Sequence, residues 1–268
     1  MSALIINELS KIYRQKWLWL IVLGILVISY TDVSFFMQGR STLHPDFFSE
    51  SLMTYGISSN LYLWCNIFVA VLAASIYTDE FRNGQLRFVF LRRFSKTKIF
   101  VSKLLTIYFL LFLLLVFYGI VLCAAGYVQI PIEGYANKQQ LIVGSALQTL
   151  SVYFMAYVTL IAICSLFVFL AMYSKNVTYA LGFCMIYILF SLLLDGVNTS
   201  LAGLFPPSSY FFELFRNITI PYMQYSNLNI LFAGSSNSIA AMVTLVLLHV
   251  AVFTYLSFKK FTRADYFS

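Results

Sequence analysis

Six runs of apolar residues, separated by polar or basic segments, set the pattern of this chain. They fall at Trp17–Phe36, Ile57–Tyr77, Ile99–Tyr127, Leu141–Met172, Val177–Leu194 and Ile239–Phe258. Each is close to or longer than the roughly 20 residues that an α-helix needs to cross the hydrocarbon core of a bilayer. Their apolar positions are continuous, as in Phe109–Val116. Membrane barrel strands instead alternate with period two, so the runs predict helices. Helices also satisfy their own backbone hydrogen bonds, which lipid cannot do. The third and fourth runs exceed one span and predict tilt or projection beyond the bilayer. The fold class read from this pattern is an all-α polytopic membrane protein: one transmembrane domain over residues 1–268, with six spans.

Three segments between the runs do not read as plain loops. In residues 1–16, Ile5, Leu9, Ile12 and Tyr13 share one helical face, while Asn7, Ser10, Lys11, Arg14 and Gln15 share the other. That predicts an amphipathic helix lying in the membrane interface, with Trp17 and Trp19 anchoring the start of the first span. A signal peptide fits less well, because the apolar run is long and no small-x-small cleavage site follows it. The segment Asp79–Lys98 is too basic to span. Leu86, Phe90 and Phe94 recur at helical spacing, but Gly84 weakens the helix and charges interrupt its other faces. A short helix, a basic turn and a return to the membrane at Ile99 fit it best. The segment Phe205–Asn237 carries Pro206, Pro207 and Pro221 among Tyr210, Phe211, Phe212, Phe215, Tyr222 and Tyr225. It predicts short helices lying on, or dipping into, one leaflet.

Composition narrows the class. Hydrophobic residues make up 61% of the chain and charged residues 10%. Soluble domains carry about 25% charged residues, and disordered chains carry more charge and less apolar surface. Both classes are excluded. The net charge of +7 is a topological signal, because fourteen of the 17 basic residues fall on one side of the six spans, leaving Arg40, Lys138 and Arg216 on the other. The positive-inside rule then places both termini in the cytoplasm. Cys65, Cys123, Cys164 and Cys184 all lie within apolar runs and read as packing residues.

Catalytic motifs are missing. The chain contains no G-x-x-x-x-G-K-[ST], no H-E-x-x-H and no G-x-S-x-G. His249 lies in the sixth run without a neighbouring carboxylate and reads as a packing residue. His44 lies in the first outer loop, and Glu133 and Asp195 at the outer ends of spans. No ionisable pair is read at mid-span. Asn60 and Asn66 lie six positions apart in the second run; helix–helix glue and a polar pathway are both open to them. The sequons at Asn198 and Asn217 would be exposed outside.

At Asp79–Leu104 the sequence meets a known pattern. Glu80-Phe81-Arg82-Asn83-Gly84-Gln85-Leu86-Arg87, then Arg92-Arg93-Phe94-Ser95-Lys96-Thr97-Lys98, then Lys103-Leu104 resembles the coupling segment of ABC transporter permeases of the type-2 exporter superfamily. Gln85 stands where that family often has threonine, and Arg93 where it has proline. The layout of interfacial helix, six spans and outer re-entrant helices is similar over nearly the whole chain. The resemblance implies the permease subunit of an ATP-driven exporter in the cell membrane. It would pair with a second permease subunit, identical or paralogous, and with separate ATPase subunits that bind ATP and Mg. This chain would hold no cofactor or metal. The ATPase contact would be Glu80, Phe81, Arg82, Gly84, Leu86, Arg87, Arg92, Arg93 and Lys96. The compact size is similar to that of bacteriocin-immunity, lantibiotic-immunity and bacitracin-resistance permeases, which implies a peptide, antibiotic or lipid-like substrate. Two other classes are weighed against this. An ion-coupled transporter or channel would need paired ionisable residues at mid-span. A membrane-embedded enzyme would need convergent His, Glu, Asp or Ser residues within the spans.

Overall fold

Side-chain hydroxyls and an amide start several of the helices. Ser51, Ser95, Ser145, Asn176 and Ser209 each accept a hydrogen bond from the backbone N–H three residues on, satisfying a donor that the first turn leaves free. The computed structural model describes residues 2–42, 51–79, 95–131, 138–174, 176–207, 209–226 and 236–263.

The long helices are α2 (Lys16–Thr42), α3 (Leu52–Thr78), α4 (Lys96–Gln129), α6 (Ala146–Tyr173), α7 (Val177–Leu193) and α11 (Ser236–Arg263). Five of them are long and apolar enough to cross a membrane. Helix α7 is long and apolar enough only together with α8 (Asp195–Ala202), across a 52° bend. Among the described residues there are no strands. The protein is therefore an all-α polytopic membrane protein, with spans where the apolar runs predicted them.

Shorter helices complete it: α1 (Ser2–Tyr13), α5 (Lys138–Val143), α9 (Tyr210–Arg216) and α10 (Ile220–Ser226). Helix α5 runs into α6 through Gly144, whose φ of +66° is the left-handed conformation that glycine adopts without strain. Helix α6 lies at the centre, packed on α11, α3 and α7, while α4 packs on α2 and α1.

Helix α3 differs from the expectation in two ways. It begins at Leu52 rather than Ile57, because Leu52, Thr54 and Gly56 are buried against α4. It also contains two π-helical stretches, Leu61–Cys65 and Ala74–Asp79. Wide turns of this kind, rare in general, cluster at functional positions.

Two local expectations fail. Tyr13 does not share the buried face of α1; it is exposed and stacks edge-on against Trp19 at 5.5 Å. The buried face is Ile5, Glu8, Leu9 and Ile12, at i, i+3, i+4 and i+7. The sequon asparagines are not exposed either. Asn198 and Asn217 are both buried, and Asn217 donates to the Glu213 carbonyl at 3.0 Å. Glycosylation there would require the local fold to open. The four cysteines are free thiols packed within the spans, as read from the sequence.

The seam between α3 and α4 depends on two glycines. A Cβ at Gly56 would lie 2.5 Å from Leu122 Cδ2 and 2.8 Å from the Tyr118 hydroxyl; one at Gly126 would lie 2.6 Å from Leu52 Cδ2. Small residues allow such close approach, which is what membrane helices gain from packing. Gly56→Ala should push Leu122 and Tyr118 aside and lower the thermal midpoint in detergent, at the roughly 1–3 kcal/mol typical of overpacking. Gly182→Ala, where nothing lies within 4 Å, should leave the midpoint unchanged. Equal midpoints for the two variants would contradict a close-packed seam.

Candidate functional site

The end of the bundle that carries the termini is built around two lysines of α4. Lys103 sits about two turns into α4, and its Nζ is 3.1 Å from Glu8 Oε2 of α1. Both side chains are buried, at 1% and 7% exposure. The ammonium and carboxylate each lose hydration, which only a close partner can offset. The pair therefore pins α1 against the start of α4. Lys96 Nζ donates to the Thr262 carbonyl at 3.0 Å, placing a cation on the C-terminal end of α11, where free carbonyls attract it. On the other side of the connecting segment, the Thr78 hydroxyl donates to the Ala171 carbonyl of α6 at 2.9 Å, and Tyr77 stacks against Phe100. Phe100 also packs against Phe258 and Phe261 of α11.

Of the expected coupling residues, Lys96 is the one described. Glu80, Phe81, Arg82, Gly84, Leu86, Arg87, Arg92 and Arg93 lie outside the described residues. What the structure does place are the two flanks of that segment, Thr78 and Ser95–Lys103. These flanks are tied to α6, α11 and α1.

Two further polar centres lie inside the bundle. In the first, Asn60 Nδ2 is 2.9 Å from each carboxylate oxygen of Asp32 and 2.9 Å from the Gly56 carbonyl. The Tyr118 hydroxyl donates to Asp32 Oδ2 at 2.7 Å. This joins α2, α3 and α4. In the second, Asn66 Nδ2 donates to Gln224 Oε1 at 2.6 Å, and Gln224 Nε2 donates to Thr159 Oγ1 at 3.1 Å. Asn66 lies about 21 Å along α3 from Leu52, at 1.5 Å per residue. Helix α10 thus reaches roughly the mid-depth of the spans, against the first π-helical stretch, α6 and α7. Both asparagines act as helix–helix glue. Helix α10 is held at its near end as well: Asp195, which is exposed, accepts from the Tyr222 hydroxyl with Arg216 beside it. Burial pushes the Tyr222 phenol up from its ordinary range, the Asp195 carboxylate pushes the same way, and Arg216 opposes them.

His249 is a packing residue, as the sequence indicated. Its Nδ1 contacts the Leu245 carbonyl at 2.9 Å, and its own carbonyl accepts from Ser165. The sequence reading passed over Asp32, a 6%-exposed carboxylate inside α2. The sequence signal was a single aspartate between Thr31 and Val33 near the end of an apolar run. Glu8 was missed for a related reason. Its position completes the apolar stripe of α1, and that placement was the signal that it turns inward.

A model of the ABC-2 family transporter protein family matches residues 4–191. The chain belongs to the ABC-2 family of transporter proteins. The match takes in α1 to α6 and nearly all of α7, and with them the segment between α3 and α4. Comparison with curated proteins gives no match. As an ABC-2 protein the chain is the membrane-embedded permease component of a transporter, a class that is not itself catalytic.

The Glu8–Lys103 pair yields a testable asymmetry. Lys103→Met strands a buried carboxylate and should cost about 3–5 kcal/mol, the scale for breaking a buried pair. Adding Glu8→Met should recover most of that loss, since a buried pair can often be replaced by apolar side chains at little cost. Thermal unfolding in detergent measures both. A double variant no more stable than the single one would show that α1 is held by something other than the pair.

Proposed function

We propose that this ABC-2 permease is the transmembrane half of an ATP-driven exporter. Two permease subunits, identical or paralogous, form the pathway between them, and separate ATPase subunits bind ATP and Mg. The carrying observation is the anchoring of the segment between α3 and α4. Its flanks are tied to α6 through Thr78, to α11 through Lys96 and to α1 through Lys103. A push on that segment would be passed to three other helices rather than absorbed by a loose loop. In this reading Glu80 and Arg87 supply charge complementarity to the ATPase. Phe81 supplies an apolar knob, Gly84 a close backbone approach, and Arg82 and Leu86 complete the contact. Arg92, Arg93 and Lys96 form a basic collar. The contact end and both termini are cytoplasmic, in keeping with the basic residues gathered there. The cargo class is a peptide, antibiotic or lipid-like molecule.

Co-purification with an ATPase subunit and cargo-stimulated ATP turnover test the contact. Glu80→Ala and Phe81→Ala leave the count of basic residues unchanged, so a segment that serves topology alone would tolerate both. As anchors of an interface, each should weaken ATPase association by more than about 1 kcal/mol. Arg92→Lys should be tolerated if Arg92 only neutralises headgroups. Wild-type association in both alanine variants would overturn the contact assignment.

Orientation is tested by cysteine labelling in a cysteine-free background. Lys138→Cys should react from outside the cell, and Lys260→Cys only after permeabilisation. The reverse pattern would overturn the assignment of the termini.

A further inference from the structure

Helices α4 and α6 stand apart over part of their length, and a groove of about 560 Å³ lies between them. This volume is in the range that takes a small ligand. On α4 the wall runs from Phe112 to Cys123, and on α6 from Ala146 to Tyr157. Each wall therefore rises through eleven residues, which is about 16 Å at 1.5 Å per residue. That is the depth of one leaflet, half of a hydrocarbon core of roughly 30 Å. The groove lies in the half of the bundle remote from the termini, since Ala146 opens α6 and Cys123 is near the end of α4 at Gln129.

The lining decides what can lie in it. The Thr149 hydroxyl donates to the Val143 carbonyl, the Tyr157 hydroxyl donates to the Tyr108 carbonyl at 3.1 Å, and the Tyr153 hydroxyl is buried behind the wall. The surface left to an occupant is apolar. One end is closed, where the rings of Phe112 and Tyr157 meet edge-on at 5.8 Å. The long side is open, with Ile120, Leu150 and Phe154 exposed where acyl chains would meet them.

A cation stands at the other end. Lys138 starts α5, which crosses α4 at Gly126: a Cβ there would lie 3.5 Å from Ile142. Its Nζ donates to the Tyr127 carbonyl at 2.7 Å and lies 5.7 Å from the centre of the Tyr127 ring. Tyr127 is one turn beyond Cys123 on α4, so the ammonium sits just past the mouth of the groove. The acids described at that end of the bundle, Asp195 and Glu213, stand on α8 and α9, which pack on each other, on α7 and on α11. A head group lies outside the hydrocarbon while its tail lies within it, so a lipid in the groove would present its phosphate where Lys138 is.

We propose that this groove is a binding site for an anionic phospholipid. One acyl chain lies between α4 and α6 with its methyl end at the Phe112–Tyr157 contact, and the phosphate rests on Lys138. The apolar walls select the chain and the ammonium selects the head. A diacylglycerol would fill the groove but offer Lys138 no charge, and a soluble anion would meet Lys138 but leave the groove unfilled. The site holds whether or not the chain pairs with an ATPase.

The test uses the purified full chain in an uncharged detergent. Dioleoyl phosphatidylglycerol is the probe and dioleoylglycerol its phosphate-free counterpart, with bound lipid counted by native mass spectrometry across a titration. The wild-type chain should bind phosphatidylglycerol saturably and more tightly than dioleoylglycerol. Lys138→Gln removes the charge but keeps an N–H for the Tyr127 carbonyl. It should weaken phosphatidylglycerol about fivefold, the scale of one cation beside an anionic head group, and leave dioleoylglycerol unchanged. Val116→Trp, at an exposed position of the α4 wall, should abolish binding of both. Lys260→Gln, beside Tyr173 at the other end of the bundle, should bind as the wild type does. Equal binding of the two lipids, wild-type binding by Lys138→Gln, or a larger loss in Lys260→Gln than in Lys138→Gln would overturn the site. If Val116→Trp does not fold, the two glutamine variants decide the question.

Discussion

In hydrocarbon, a leucine on one helix gains little by meeting a leucine on another, because lipid tails offer the same surroundings. Six apolar helices would then have little to decide which lies beside which. The deciding contacts in this protein are close glycine seams and buried polar ties. The ties come at three levels: Glu8 to Lys103 near the termini, Asn66 to Gln224 and Thr159 near mid-depth, and Asp32 to Asn60 and Tyr118 towards the opposite end. Each joins different helices. Each also carries a penalty for error, since a polar group left unpaired in this environment is costly. That penalty makes the arrangement specific as well as stable.

Helix α3 is the member common to most of these contacts. Asn60 faces α2 and α4, and Asn66 faces α6 and α10. The two side chains leave α3 on different sides, so one helix can address two different sets of neighbours. The π-helical stretch Leu61–Cys65 lies between them, and the second, Ala74–Asp79, ends where the segment between α3 and α4 begins. A displacement at Thr78 is therefore carried along a helix that holds both internal polar centres. The tie at Gln224 matters most for any opening on that side. Helix α10 reaches mid-depth, and it cannot move outward without leaving Asn66 and Thr159 to find new partners.

The spans and the layout were legible in the sequence because a stretch of about 20 apolar residues has one stable solution in lipid. Asn60 and Asn66 were legible as polar groups in an apolar run that must find partners, with helix–helix glue one of the two roles open to them. What could not be read was which partner. Glu8 and Lys103 are far apart in the chain, and neither sequence neighbourhood names the other. Asn198 and Asn217 lie in segments that read as exposed, yet α8 to α10 fold back onto the bundle and bury both. Tyr13 was placed on the wrong face because an aromatic ring at the interface is at home either way, packed inward or lying against Trp19.

Glu8 and Asp32 show how far a single physical rule reaches. Both are carboxylates with little exposure, and both lie against α4. Glu8 has an ammonium 3.1 Å away, so its desolvation is answered inside the chain and the pair serves as a fastening. Asp32 has an amide and a phenol, which orient it without balancing its charge. A fold that only needed to join α2, α3 and α4 at this level could do so with an asparagine or a serine at position 32, at lower desolvation cost. The carboxylate adds one thing that those residues lack, an ionisable group inside a span.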